Sequence, residues 1–419
     1  MLQLLAAGSN AHGQLSNGSL DDAYQFTPAS FDGLPEASLP PHTTEIDLAF
    51  GANHTLALVT QVESQSSTTC LWGCGLGSQG QLGPTIKQMG ATPLFRSIKP
   101  EAPEIGGCSP RLIAAAWETS YVVFSRTSAS DVLISMGGND FGDLGVKLTP
   151  KTRNRSVHTI SLDHLHVEDV SLGICRLQFD HIRAGPHHVV ASIFATAPGG
   201  TTYSVVVGWG AARHGQLGGD GGTKQYDTLR LISQRPHNDR IIGIGVGNQH
   251  TVLLGAQGEA EMHGSNRKDQ RGAAVTSLPN VLQVGCTWNG TYILSKQDDN
   301  VCISASGSNT HSQLGPMSRS SREVRISELL GPDVTINSLV CGSEHVLLWR
   351  RKLAGTGEDG MQHVWGWGWN EHGNLATGST DDVPLPTKCF SINPKDHIVG
   401  VWAGCATSWI AVNRDTQER

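Results

Sequence analysis

Short apolar runs recur along the whole chain, each introduced by a small residue, two variable residues and usually a His or Thr. They read GANHTLAL (51–58), AWETSYVV (116–123), GPHHVVAS (185–192), GNQHTVLL (247–254), TWNGTYIL (287–294), GSEHVLLW (342–349) and GCATSWIA (404–411). Their β-branched and aliphatic content is that of buried strands. We call them tails. A second element alternates with them: a Gly, a small or aromatic residue and an Asn-like residue, then a Gly five places on and a Leu seven places on. Its copies are GSNAHGQL (8–15), GLGSQGQL (75–82), GGNDFGDL (137–144), GAARHGQL (210–217), GSNRKDQR (264–271), GSNTHSQL (307–314) and GWNEHGNL (368–375), here called heads. Successive heads lie 67, 62, 73, 54, 43 and 61 residues apart, so the unit is constant and its connections vary.

A tail passes into the following head strand through a short polar turn, such as AQGE at 256–259, which is a hairpin signature. Head glycines suit positive φ or close backbone approach, and the head leucine suits a core position. One unit cannot bury its own faces, whereas seven around an axis can. The pattern predicts an all-β, seven-bladed β-propeller formed as one unit by residues 1–419. The chain opens on a head strand and closes on a tail strand, so 2–7 should pair with 408–412 and close the ring. The stretches 84–110, 146–180, 218–240, 316–333 and 354–362 are rich in Pro, Gly, Ser and charge and read as surface loops. Apolar positions in 146–180 suggest an extra strand there, and 326–330 suggests a short helix.

Composition narrows the function classes. The 50 glycines fit many strands and tight turns, and a net charge of −7 with pI near 6.2 argues against electrostatic nucleic-acid binding. Nine scattered cysteines look like neither a disulfide framework nor a zinc site, which suits a reducing compartment, cytoplasmic and nuclear. The apolar start at 1–7 is too short for a signal peptide, and no basic run forms a tail for chromatin or a membrane surface. GDGG at 219–222 lacks the Lys-Ser/Thr of a phosphate loop, and no nucleophile or paired-carboxylate motif appears. We therefore expect no catalytic residues, no metal, no cofactor and no enzymatic activity.

The alternating elements resemble the repeat of the regulator-of-chromosome-condensation family over nearly the whole chain. WGWGWNEHGN (365–374), AGCATSWIAV (403–412) and the tails carrying Trp117 and Trp288 resemble its fungal killer-toxin-insensitivity branch, the α-tubulin suppressor type. That likeness implies an adaptor: a heterodimer with a small CSL-type zinc-finger electron carrier. Such a pair supports diphthamide biosynthesis on elongation factor 2 and, through Elongator, modification of tRNA wobble uridines. The alternative is guanine-nucleotide exchange on a Ran-type small GTPase, the founding member's activity, although that member's basic N-terminal tail is not seen here. A third reading is a chromatin-associated propeller holding a demethylase or ligase, with direct DNA contact disfavoured by the acidic balance.

In a plant photoreceptor of the family the two positions after the tail glycine face a partner. Carried over, they include Trp117, Glu118, Trp288, Asn289 and Glu344. Tryptophan at a turn is a typical interface anchor, while its plainer role is packing between blades. Trp369, Glu371 and His372 in the last head loop complete the expected partner-binding set. Trp365, Trp367 and Trp369 alternate with glycine and share one strand face, which suggests packing between blades. His54, His188, His250 and His345 hold one repeat position, which suits hydrogen bonds between blades better than a metal.

Overall fold

We describe a computed structural model, which covers residues 1–235, 239–272, 280–297, 300–316, 323–325, 328–329, 334–352 and 361–415. Seven antiparallel sheets surround a central channel. In blade 1 the order from the channel outward is Thr43–Phe50, His54–Glu63, Ser66–Leu76 and Ala91–Ser97. Blade 2 contains Ser109–Ala115, Thr119–Ser125, Val132–Gly137 and His158–Ile160, and blade 3 Arg176–Ala184, His188–Thr196, Thr202–Ala211 and Gln225–Arg235. Blade 4 shows Ile241–Val246, His250–Gly255 and Ala260–Gly264 among the described residues. Blade 5 contains Val281–Cys286, Gly290–Gln297, Asn300–Gly307 and Glu323–Arg325, and blade 6 Val334–Cys341, His345–Lys352, Gln362–Gly368 and Val383–Ser391.

Blade 7 takes two strands from each end of the chain, in the order His397–Ala403, Thr407–Asn413, Leu2–Gly8 and Ala23–Pro28. The terminal strands pair from Leu2↔Asn413 to Gly8↔Thr407 without a register shift. This is the closure that the alternation of heads and tails predicts. Each tail strand is the second in its blade and pairs with the head strand that follows, as Cα partners His54↔Gly75 and His250↔Gly264 illustrate.

Second and third strands are buried on both faces, because each blade packs against its neighbours. Leu56, Val122, Val189, Val252, Ile293, Leu347 and Ile410 are all fully buried. Five of the head leucines close the blade cores: Leu15, Leu82, Leu144, Leu217 and Leu375 are each at most 3% exposed. The Asn that opens most heads holds this leucine in place. Its side-chain oxygen accepts the N–H five residues on, as in Leu15 to Asn10, Leu144 to Asn139 and Leu375 to Asn370.

The stretches read as surface loops need correction. Each of 84–110, 146–180 and 218–240 contains the outermost strand of its blade, Ala91–Ser97, His158–Ile160 and Gln225–Arg235. An outermost strand has one solvated side and an open edge, so it lacks the apolar run that marks a buried strand. Gly83–Met89 is a short helix, and the extra strand expected in 146–180 is a small hairpin, His166–Val167 against Val170–Ser171. The stretch 316–333 likewise contains blade 5's outermost strand, Glu323–Arg325. Of the helix expected at 326–330 only 328 and 329 are described, both helical, and most of the rest of 316–333 and of 354–362 lies outside the described residues. No described helix is long and apolar enough to cross a membrane.

Candidate functional site

The antiparallel order fixes which loops meet. The turn between the first and second strands and the head loop after the third strand emerge at the same end of every blade. At that end one interaction repeats seven times. The head glycines Gly8, Gly75, Gly137, Gly210, Gly264, Gly307 and Gly368 all have positive φ, from 91° to 125°. A Cβ on any of them would lie 2.1–2.6 Å from the carbonyl oxygen of a tail-turn residue. The next residue donates its N–H to that same oxygen: Ser9 to Ala406, Leu76 to Asn53, Gly138 to Glu118, Ala211 to His187, Ser265 to Gln249, Ser308 to Asn289 and Trp369 to Glu344. Only glycine permits both the conformation and the approach.

Tail glycines serve a different purpose. At Gly51, Gly247 and Gly342 an added Cβ would lie 2.0–2.2 Å from Cε1 of His54, His250 and His345, because each ring lies over its own glycine. The tail histidines are buried, and three of them join blades: Nε2 of His54 lies 3.0 Å from Ser120 Oγ, that of His188 3.0 Å from Thr251 Oγ1 and that of His345 3.2 Å from Ser408 Oγ. Neither ring nitrogen of His250 has a hydrogen-bond partner among the described residues. Where the glycine becomes Ala116 or Thr287, the histidine becomes Thr119 or Gly290. Burial lowers the histidines from the usual range to about 3 for His54 and His188 and about 4 for His250 and His345, so all four are neutral. Among the described residues no group of His, Cys, Asp or Glu is arranged to hold a metal ion.

The first-to-second-strand turns also join one another around the channel mouth. Ala52 donates to the carbonyl of Trp117 and Trp117 to that of Pro186. On the other side Asn248 donates to Trp288, Trp288 to Ser343 and Ser343 to Gly404. The two chains of bonds are separated where Pro186 has no N–H to give. The channel itself, about 610 Å³, is lined by the innermost strands, with Trp402 and Asp47 meeting inside it at 3.1 Å.

Trp117 of blade 2 and Trp288 of blade 5 are three blades apart, yet their ring centroids are 5.8 Å apart at 43°. They do not pack between blades; they meet across the channel mouth. Trp117 also lies 6.0 Å from the ring of His187, and His187 lies 4.2 Å from Phe141. Trp117 and Phe141 remain 39% and 40% exposed. Glu118 is half-buried beside them.

Other expected contact residues lie apart from this cluster. Glu344 is buried, with Oε1 accepting from Asn289 and Oε2 from Gln313 at 2.9 Å, so its carboxylate braces two blades instead of facing solvent. Trp369, Glu371 and His372 form their own group: Trp369 Nε1 donates to Glu371 at 3.2 Å, and His372 Nδ1 lies 2.7 Å from Asp22 Oδ2 in the neighbouring blade. Trp367 is fully buried and donates to the carbonyl of Gln313, while Trp365 is half-buried under the Arg350 guanidinium at 5.2 Å.

Sequence reasoning overlooked Phe141, Asp143 and His187 as a group. Their signal was one letter. Five heads carry Gln at the position before the leucine, where its Oε1 accepts the N–H two residues back, as Gln14 does from His12 and Gln313 from His311. The third head carries Asp143 there, and its Oδ2 accepts from Phe141 at 3.0 Å. Its Oδ1 is buried with no hydrogen-bond partner, 4.0 Å from His187 Nδ1. Desolvation, with like charge from Asp140 and Glu118, raises Asp143 to about 7, and burial lowers His187. Near neutral pH the two do not form an ion pair.

A model of the "Regulator of chromosome condensation (RCC1) repeat" matches residues 362–409. The "Secretion-regulating guanine nucleotide exchange factor" of Bos taurus is 27% identical, over 96% of this chain and 81% of its own length. An RCC1 repeat-containing protein of Schizosaccharomyces pombe is 24% identical, over 98% of this chain and 99% of its own. The crystal structure of human WBSCR16 superposes with a TM-score of 0.69 at 16% identity, covering 99% of both chains, which shows the shared fold. The expectation of a protein without enzymatic activity is overturned by the bovine and mouse relatives, named as exchange factors, since such factors catalyse nucleotide exchange. The closer likeness to the killer-toxin-insensitivity branch finds no support among them. The repeat match at residues 362–409 and the relatives aligned along nearly the whole chain make it similar to proteins built from RCC1 repeats.

Proposed function

We propose that this propeller is a guanine-nucleotide exchange factor for a small GTPase, working through the end that carries the tail turns and head loops. The observation behind this reading is the alignment of exchange factors along 96% of the chain. Exchange needs no nucleophile and no proton transfer. It needs a rigid surface that binds the nucleotide-free GTPase more tightly than the loaded one, so that nucleotide leaves faster. The end of the propeller has that rigidity, with seven repeated glycine contacts and turns tied to one another. The test is release of a fluorescent GDP from a panel of small GTPases, Ran among them, with the propeller at one-hundredth of the GTPase concentration. Accelerated release from one member supports the proposal; spontaneous rates across the panel overturn it.

The adaptor reading, a heterodimer with a small CSL-type zinc-finger protein in diphthamide and Elongator-dependent tRNA chemistry, is favoured by one observation. Trp117 stands exposed at a turn, as an interface anchor would. Its test is recovery of that partner by the wild type and by Trp117→Ala/Trp288→Ala. Equal recovery would exclude this face.

A further inference from the structure

Asp143 occupies the repeat position where five heads carry Gln and the last carries Asn374, whose amide oxygen is also buried without a partner among the described residues; Asp143 alone puts a carboxylate there. In blade 5 the equivalent residue, Gln313, reaches the next blade's tail turn and donates to Glu344 at 2.9 Å. In blade 2 Asp143 approaches the corresponding residue of the next turn, His187, but only to 4.0 Å. At that distance no hydrogen bond forms, and a neutral histidine offers the ionised form no counter-charge. The Asp143 side chain is 6% exposed and its Oδ1 has no partner. An unpaired buried carboxylate oxygen costs stability, so its presence in a binding face calls for a ligand.

The surroundings name that ligand. Two further carboxylates act on Asp143, those of Asp140, which is exposed, and Glu118, which is half-buried. The rings of Phe141, His187, Trp117 and Trp288 form a continuous chain beside them, with centroid separations of 4.2, 6.0 and 5.8 Å. Trp117 and Trp288 are inclined at 43°, so they present a notch and not a closed stack. Aromatic faces and clustered carboxylates share one preference, a cation that carries its own hydrogen-bond donors. The net charge of −7 favours a basic protein segment over nucleic acid for the same patch.

We propose that the channel mouth is a cation-recognition site, in which an arginine or lysine at the tip of a protein partner's loop stacks on Trp117 and Trp288 and is held by Glu118, Asp140 and Asp143. The proposal deepens the exchange reading by giving the chemistry the partner brings, and rests on it only for the partner's identity.

The test needs no partner. The indole N–H signals of Trp117 and Trp288 are followed by NMR in the full chain while a Gly-Ser-Gly-Arg-Gly-Ser-Gly peptide is added. The same peptide with citrulline for arginine, isosteric and uncharged, is the control. The expected result is a saturable shift of both indoles with the arginine peptide, at least tenfold weaker with citrulline. Asp143→Asn, which keeps the oxygen that accepts from Phe141, should weaken arginine binding at least tenfold, and Glu118→Gln several-fold. If Asp143→Asn fails to fold, Glu118→Gln alone decides. Equal responses to the two peptides, or wild-type affinity in a folded variant, overturn the site. Arginine binding with no nucleotide release would leave the site standing and remove the exchange reading.

Discussion

Gly342→Ala isolates the packing rule that relates tail glycines to buried histidines. Gly342 lies outside the left-handed region, so alanine meets no backbone penalty there. The whole effect is steric. The new Cβ would lie 2.2 Å from Cε1 and 2.6 Å from Nδ1 of His345, and 2.6 Å from the carbonyl oxygen of Gly404. The ring cannot swing aside, since it is fully buried and held by Ser408 at 3.2 Å. The Gly404 carbonyl cannot retreat without loosening its bond from Ser343 N–H at 3.1 Å. Overpacking of this kind costs ~1–3 kcal/mol, and a strained blade-to-blade hydrogen bond adds ~1 kcal/mol. Reduced freedom of the unfolded chain returns ~0.4–1 kcal/mol, leaving a net loss of ~2 kcal/mol.

The protein already contains the rescue, because blade 2 pairs Ala116 with Thr119 at these two positions. His345→Thr alone should destabilise by opening a cavity and removing the bond to Ser408. Gly342→Ala/His345→Thr should cost less than the sum of the two single changes, by ~1 kcal/mol or more. Chemical denaturation of the four proteins under identical conditions measures this coupling. A neutral Gly342→Ala, or single costs that simply add, would refute the argument that the glycine exists to receive the ring.

Other outcomes follow from the same contacts. Deleting 407–413 removes the strand that joins the two chain ends in blade 7, and should abolish the cooperative melting transition; an unchanged transition would contradict the closure. Acid should destabilise the fold through its neutral histidines, which are lowered to about 3 or 4 in the folded state. The unfolded forms take up protons near ~6.5, so stability is complete above that pH and falls as pH drops toward 4, by up to ~1.4 kcal/mol per pH unit for each histidine. His54→Gln should flatten that slope by one proton, which urea midpoints between pH 7 and 5 would report. Asp143 has the opposite sign, since its folded value is raised to about 7. Its contribution is present below the unfolded carboxylate range and fades as pH rises through 7, so Asp143→Asn should gain stability relative to the wild type between pH 6 and 8. An unchanged difference between the two across that interval would mean the carboxylate is not desolvated.

The sequence by itself determined the repeat, the blade count and the ring closure. These were legible because second and third strands are buried on both faces, and such strands must be written in apolar residues. The seven head glycines were equally legible, since their positive φ and their 2.1–2.6 Å approach to a tail-turn carbonyl admit no other residue. The first strands face the channel and the outermost strands face solvent, so Gln225–Arg235 and its equivalents carried no comparable signature and passed for loop. The functional end was legible only in part. Trp117 and Trp288 stood out as residue types, but their meeting at 5.8 Å joins positions 171 apart through a ring that only the closed propeller creates. Whether Glu344 is presented or buried, and whether Asp143 is satisfied or left waiting, depends on which blade stands next to it. Periodicity says what a residue's own strand requires; neighbours across the channel are set by how seven blades close around an axis.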